Sequence, residues 1–431
     1  MERDTLTTVN TPLNTPDRTS MKSIAKATLI SALDSRVSLS VTSLIDSLAI
    51  RAGSRSRRRR ESAGAHVLIN SAGGGNIGDQ AMFESFLANV NGPVKVIVRN
   101  IDAFDVPEAL NRARVELVVL PSLIYGRGLS RLLNVMAFAR ALRGARSLSI
   151  VGADVMDGGY GRRPSSLEWS LAAAASKAMV PTRVLGFSWK NNVDGQIQRA
   201  ARSAVLSGVI AIARDPHSRS RLLENNIGAA LEAADVVFLH EGISASNSYE
   251  ELLRGWVAAG KRVAIVNMSG LINASFDQSK EYTHILHTLR ELGYEVILLP
   301  HVSTDIPVIK SFIGFNRDHA TIDHVDLLLT PSEVKALAAQ ADVVVTGRMH
   351  LSILALSVGV PSIVLATQGK VLGLMELVGT PRFCIDPVTG FAAEVTARLR
   401  ELEISRNETV ADIVAGVQKA QVLAAVNFRD L

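Results

Sequence analysis

The chain has 431 residues, more than one hydrophobic core usually supports, so two domains are expected. Hydrophobic residues make up 47% and charged residues 20%, which excludes a chain disordered throughout, and the one cysteine, Cys384, excludes a disulfide framework or a cysteine-built zinc site. The net charge of +5 arises in residues 1–60, where 11 Lys+Arg face 5 Asp+Glu, so the remainder is near neutral and no nucleic-acid partner is expected.

Residues 1–20 are rich in Thr, Asn, Pro and Asp and offer little to bury. Residues 21–50 carry spaced apolar groups, among them Ile24, Leu33, Leu44 and Leu48, that suit one or two amphipathic helices. The run Arg51–Arg60 then holds six arginines and cannot enter a core. No apolar h-region follows it, so it is not a secretory signal. Residues 1–64 are therefore expected to be a disordered or partly helical basic leader. Such a run is either a solvated linker or a weak electrostatic contact with an anionic membrane surface. A cytoplasmic protein is expected, with that contact placing it at the inner face of the membrane.

From His66 onward, short β-rich runs alternate with helical stretches. Strands are expected at His66–Ser71, Val94–Arg99, Val115–Leu120, Ser147–Val151, Arg183–Phe187 and Val209–Ala213, with helices between them. The pattern recurs with strands at Arg262–Asn267, Glu295–Pro300, Asp342–Thr346 and Ser362–Ala366. Continuous apolar runs point to strands buried on both faces of a parallel sheet. The fold class is thus α/β, with two doubly wound, Rossmann-like domains. Their boundaries fall at 65–241 and 242–405, joined near His240–Ser248, and residues 406–431 form a C-terminal helix that returns across the first domain. Apolar stretches such as Val115–Pro121 and Val360–Ala366 are far shorter than a bilayer span.

In such sheets ligands bind beyond the carboxyl ends of the strands, and the unusual residues gather there. The first strand runs into a glycine loop, Gly73–Gly75, followed by Asn76-Ile-Gly-Asp79, at a helix start suited to an anion. Gly74, Gly75 and Asn76 are binding candidates, while Asn76 and Asp79 also suit turn and helix-cap roles. The fourth strand ends in Asp154 and Asp157. Either suits sugar hydroxyls or proton acceptance, and Asp157-Gly158 also suits an ordinary turn. The sixth ends in Arg214-Asp215, a guanidinium for a carboxylate or phosphate, or else a plain ion pair. In the second half, Thr346-Gly-Arg-Met-His350 puts Arg348, Met349 and His350 at a helix start, joining a fixed cation to a residue type that titrates near neutrality. Asn267-Met-Ser269 and His301 stand at equivalent ends, as acceptor contacts or strand terminators. Lys370 follows the last strand, and no metal-ligand cluster is evident.

Together, Gly74–Asp79, Arg214–Ser218, Leu298–His301, Thr346–His350 and the Ala355–Pro361 run with Lys370 beyond it resemble the polysaccharide pyruvyl transferase family, over roughly residues 65–380. The resemblance implies two domains facing a cleft as in GT-B glycosyltransferases. It also implies transfer of pyruvate from phosphoenolpyruvate to two hydroxyls of a cell-surface glycan or lipid-linked sugar as a cyclic ketal. It places Arg214, Arg348 and His350 at the phosphoenolpyruvate site. Where relatives often carry an aromatic before the lysine, this chain has Ala366-Thr-Gln-Gly369.

A donor with a carboxylate and a phosphate needs at least two cationic or N–H grips, which Arg214, Arg348 and the glycine-loop amides would provide. His350 is the candidate acid or base, with Asp79 or Asp154 activating the acceptor. No cofactor or metal beyond phosphoenolpyruvate is expected. Two rivals remain open at this point. One is a nucleotide-sugar glycosyltransferase in which Asn267–Asn273 and Arg348 hold a diphosphate; the other is a non-catalytic glycan-binding relative.

Overall fold

Strands buried on both faces need helices on both sides, and the chain supplies them in alternation. The computed structural model describes residues 36–54, 64–70, 73–228, 230–242, 247–315, 322–366 and 369–431. In the first domain β1 (His66–Ile69) is buried at all four positions. It is followed by β2 (Val94–Val98), β3 (Val115–Val119), β4 (Ser147–Ala153), β5 (Thr182–Phe187), β6 (Ile210–Ala213) and β7 (Leu231–Glu232). All pairs are parallel, in the order β3-β2-β1-β4-β5-β6-β7. The second sheet is also parallel. It contains β8 (Arg262–Val266), β9 (Tyr294–Leu298), β10 (Asp323–His324), β11 (Val343–Thr346), β12 (Ser362–Leu365) and β13 (Cys384–Ile385), ordered β10-β9-β8-β11-β12-β13. Both are doubly wound Rossmann-like sheets, as the alternating pattern predicts. The winding direction reverses between β1 and β4 and again between β8 and β11, so each domain has one switch-point crevice.

The crevices face each other because the domains are stitched together. Asn76 bridges Val302, with Ile77 N–H donating to His301 O at 3.1 Å and Ser303 N–H to Gly75 O at 2.8 Å. Behind this seam a buried Glu84 meets His240 Nε2 at 2.7 Å, tying the helix Ile77–Asn89 to the interdomain connection. The closing helix Phe391–Ala424 bends at Ser405, whose φ of −105° and ψ of 15° are not helical. Beyond it, Asn427 accepts from Gly186 N–H in β5 at 2.8 Å and donates to Ala234 O, holding the chain end on the first domain. Residues Phe391–Phe428 are long and apolar enough by composition to cross a membrane. Here Val395, Leu399, Leu402, Ile413 and Val417 are buried within the fold.

Within the leader expected over residues 1–64 to be disordered or partly helical, Arg36–Ser54 is a helix, and it is laid on the first domain with Leu39 and Ile50 buried. Asp46 receives both terminal nitrogens of Arg131 at 2.6 Å, and the two side chains are 1% and 5% exposed. Composition concealed this because the arginine run next to the helix reads as solvated chain. Residues 1–35 and the Arg55–Arg60 run lie outside the described residues. Asp46→Ala leaves Arg131 buried without its partner and is expected to cost about 3–5 kcal/mol in urea unfolding. A chain beginning at Ser62 should be destabilised as well; unaltered unfolding of both would remove this helix from the fold.

Candidate active site

The loops at both switch points line one cleft of about 250 Å³. From the first domain come Asn76 and Asp79 after β1, Tyr125 after β3, and Ala153–Val155 with Tyr160 after β4. The second domain supplies Leu271, His301, Val302, Gly347–His350, Lys370 and Val371. A second lobe of about 330 Å³ shares Asp154, Tyr160, Leu271 and Lys370 and adds Asp157, Gly159, Ser188, Trp189, Lys190, Arg221 and Gly369.

Local backbone chemistry aims these side chains. Asn76 caps the helix Ile77–Asn89, its Oδ1 accepting from Gly78 N–H at 2.9 Å. Gly78 is needed for packing: a Cβ there would lie 2.2 Å from His350 Nδ1. At the end of β4, Ala153 takes a φ of +39°, a left-handed conformation that costs a non-glycine residue on the order of 1–3 kcal/mol. Ser188 N–H holds it by donating to Ala153 O at 2.8 Å, and the turn delivers Asp154 to the cleft.

A chain of charges runs behind the cleft wall. His350 Nε2 is buried 3.5 Å from Asp235 Oδ2. Asp235 also accepts from Arg214 Nη1 at 2.8 Å and Val237 N–H at 3.0 Å. Arg214 donates through Nε to Ser188 Oγ at 2.8 Å and through Nη2 to Asp154 Oδ1. Asp154 Oδ2 in turn receives the Lys370 ammonium. Burial alone would raise the Asp154 carboxyl, but Lys370 and then Arg214 outweigh it and lower it to about 2. Burial would likewise raise Asp235, yet His350 and Arg214 hold it well below the usual carboxylate range. Because a carboxylate only accepts, Asp235 favours the N–H at Nε2 of His350 and leaves Nδ1 to exchange protons.

A second carboxylate organises the opposite wall. Asp305, fully buried, accepts from Arg348 Nη2 at 2.5 Å and Nε at 3.2 Å, and from Gly270 N–H, His301 N–H and Asn267 Nδ2. This fork fixes the Arg348 guanidinium, whose Nη1 makes no hydrogen bond among the described residues while the side chain lines the cleft. His301 is 2% exposed, and neither ring nitrogen has a hydrogen-bond partner among the described residues. Burial first, then the nearby His350 charge, lower it to about 3, so it is a neutral imidazole offering one donor and one acceptor.

The sequence candidates therefore separate into three groups. Asn76, Asp79, Asp154, His301, Arg348, Met349, His350 and Lys370 meet in the cleft wall. Arg214 does not face it; with 2% of its side chain exposed it is enclosed by Ser188, Asp235 and Asp154. Its neighbour Asp215 caps the next helix, accepting from Ser218 N–H at 2.7 Å. Gly74 and Gly75 lie outside the lining, and the loop amides expected to cradle an anion are engaged: Gly74 N–H donates to Ala103 O, Ile77 to His301 O and Gly78 to Asn76. Both oxygens of Asp154 are held by cations, which suits a clamp better than a base. Asp157 is a turn residue, accepting from Gly159 and Lys190 N–H. Asn267 is buried, its amide engaged by Leu299 O and Asp305 rather than open to a diphosphate. Asp235, Asp305, Tyr125 and Tyr160 escaped sequence reasoning. The first sits in the apolar run Ala233–Leu239, and a carboxylate inside such a run is the signal that would have found it. The two tyrosines put rings at a cleft whose final loop lacks one in Gly369–Val371. Thr367 and Gln368 lie outside the described residues.

Beside the cleft, Glu168 lines a small cavity of about 30 Å³ with Asn70 and Tyr125. Burial alone pushes its carboxyl up to about 8. A raised carboxyl contributes its stability in full below the ordinary value and loses it as pH rises toward the folded one. Glu168→Gln is thus expected to stabilise the protein near pH 8 and to do much less near pH 4.5, as read by urea unfolding at the two pH values. Equal effects at both would show that Glu168 is ionised in the fold.

Two Rossmann-like domains closing a charged cleft over paired switch points define a two-domain architecture of the GT-B kind. Solved structures share it: a putative UDP-N-acetylglucosamine 2-epimerase from Listeria monocytogenes has a TM-score of 0.56 at 10% identity, covering 85% of this chain and 94% of that one. A glycosyltransferase from Rickettsia africae gives 0.55 at 12% identity, covering 85% and 96%. The UDP-GlcNAc 2-epimerase of Neisseria meningitidis bound to UDP-GlcNAc gives 0.56 at 8%, covering 84% and 98%. These likenesses concern the fold alone. No curated protein matches the chain. The polysaccharide pyruvyl transferase family model matches residues 76–369, well over half of the chain, and the protein belongs to that family.

Proposed function

We propose that the protein transfers pyruvate from phosphoenolpyruvate to two hydroxyls of one sugar in a polysaccharide or glycolipid, forming a cyclic ketal and releasing phosphate. The observation that carries this reading is the family match, which begins at Asn76 on one cleft wall and ends at Gly369 beside Lys370 on the other. The balance is redox-neutral and calls for no cofactor. One hydroxyl adds to the enol carbon as the methylene gains a proton; the second displaces phosphate from the same carbon, and the hydroxyl protons leave. Arg348 Nη1 and the Lys370 ammonium are suited to the donor's anionic groups, and the ring N–H of His301 to one of its oxygens. His350 moves the proton. The second lobe, with the exposed Tyr160 ring at its edge, suits the acceptor sugar. A phosphoenolpyruvate donor places the reaction in the cytoplasm.

The test is phosphate release from phosphoenolpyruvate across a panel of glycan acceptors, with the ketal identified on the product. Transfer from a nucleotide sugar instead, with phosphoenolpyruvate inert, would favour the glycosyltransferase alternative. Arg348→Lys keeps the charge but loses the two-point fork to Asp305, so calorimetry is expected to show donor affinity weakened by about tenfold or more. Unchanged affinity would take Arg348 out of the donor site.

A further inference from the structure

A surface helix normally turns its apolar stripe inward and its polar residues to water. The helix Arg36–Ser54 buries Leu39 and Ile50 but leaves a second apolar stripe outside. Asp46, its only carboxylate, is buried against Arg131, while Val41, Leu44, Ile45 and Leu48 are 51%, 61%, 45% and 60% exposed at i, i+3, i+4, i+7 spacing. Beside it lies the helix Gly128–Ala141, joined by the Asp46–Arg131 pair and by the close approach of Gly53 to Ala139. That second helix exposes Leu129, Leu133 and Met136 at 71%, 55% and 42%. Seven large apolar side chains on two adjoining helices thus face outward.

The exposed charged side chains described on these two helices are arginines. The second helix has no carboxylate, and Arg51, Arg140 and Arg143 are exposed at the same end of the pair. A second copy seated on this face would bring these arginines together with no carboxylate from either helix to pair them. A bilayer with anionic headgroups satisfies both features, taking the leucines into the interface and the arginines among the headgroups. The geometry points to this two-helix face as a docking surface for an anionic lipid membrane. The second helix begins three residues after Tyr125, so the docking face starts beside a residue of the cleft wall. That this suits a lipid-linked acceptor rests on the function proposed above; the docking itself does not.

Sedimentation of the full chain with vesicles tests it. Binding is expected to phosphatidylcholine vesicles containing phosphatidylglycerol, to weaken in high salt, and to be much poorer with phosphatidylcholine alone. Leu44→Ser/Leu48→Ser/Leu133→Ser should lower partitioning by at least about a hundredfold while circular dichroism and melting stay near those of the parent. Arg51→Gln and Arg140→Gln should each lower it about fivefold. The proposal is overturned if no vesicle binds the protein, or if binding ignores the leucine substitutions and so resides in the basic run alone. It is equally overturned if sedimentation equilibrium shows a stable dimer that these leucine substitutions dissociate. None of these readings depends on turnover.

Discussion

His350→Gln is expected to lower kcat by about 10²–10⁴-fold, the usual range for a lost general acid or base, with a small change in donor affinity. The expectation rests on two contacts. Asp235 lies 3.5 Å from Nε2 and orients the ring, and Gly78 gives it room, since any Cβ would strike Nδ1. Gly78→Ala therefore provides an independent arm. It leaves every ionisable group in place yet must displace the imidazole, and a shift near 1 Å at the reacting centre costs on the order of 10²-fold. The two variants should share a depressed kcat at nearly unchanged KM for phosphoenolpyruvate. Thermal melts on the same preparations separate chemistry from packing. Near-parental kcat in folded His350→Gln would leave the ring as a wall of the cleft and nothing more.

That His350 stood out from sequence at all depends on where it falls. Thr346-Gly-Arg-Met-His350 follows an unbroken apolar strand and precedes an apolar helix, so its polar residues had to emerge at a strand end. The same logic made both sheets legible, because β8 and β11 are short runs, apolar nearly throughout, that suit a covered parallel sheet, and β1 reads likewise in the first domain. Partnership was not legible. Asp235 is 115 positions before His350, and Asp305 is 43 before Arg348; neither separation leaves a periodic trace. The glycine loop misled in a physical way. Its residues promise free amides, but in the closed two-domain arrangement Ile77 donates across the seam to His301 O. The helix Arg36–Ser54 was legible as spaced apolar residues but its placement was not, for Leu39 and Ile50 turn in beside its one carboxylate while Val41, Leu44 and Leu48 face out.

Arg214 shows the same difficulty from the other side, and its substitution is the second large effect expected. Read alone, Arg214-Asp215 suggests a grip on a ligand or a surface pair; in the fold it is a buried rivet for two carboxylates from distant loops. Arg214→Ala removes the cation shared by Asp235 and Asp154, leaving them only His350 and Lys370, and breaking such a buried pair costs about 3–5 kcal/mol. The melting temperature should fall by roughly 3–6 °C, following the usual conversion of stability into melting point for a chain of this length. Arg214→Lys should recover little, because one ammonium cannot reach Ser188, Asp235 and Asp154 at once. The pH dependence has a defined sign. Asp154 titrates below its ordinary value, so its contribution is present above about pH 4 and lost as pH falls toward about 2. Arg214→Ala should flatten that acid limb. Pairing it with Asp235→Leu should return part of the lost stability, since the stranded charge is then gone, but not turnover, since His350 loses its orienting carboxylate. An Arg214→Ala protein that melts like the parent yet binds phosphoenolpyruvate poorly would reverse the assignment and place this guanidinium on the ligand.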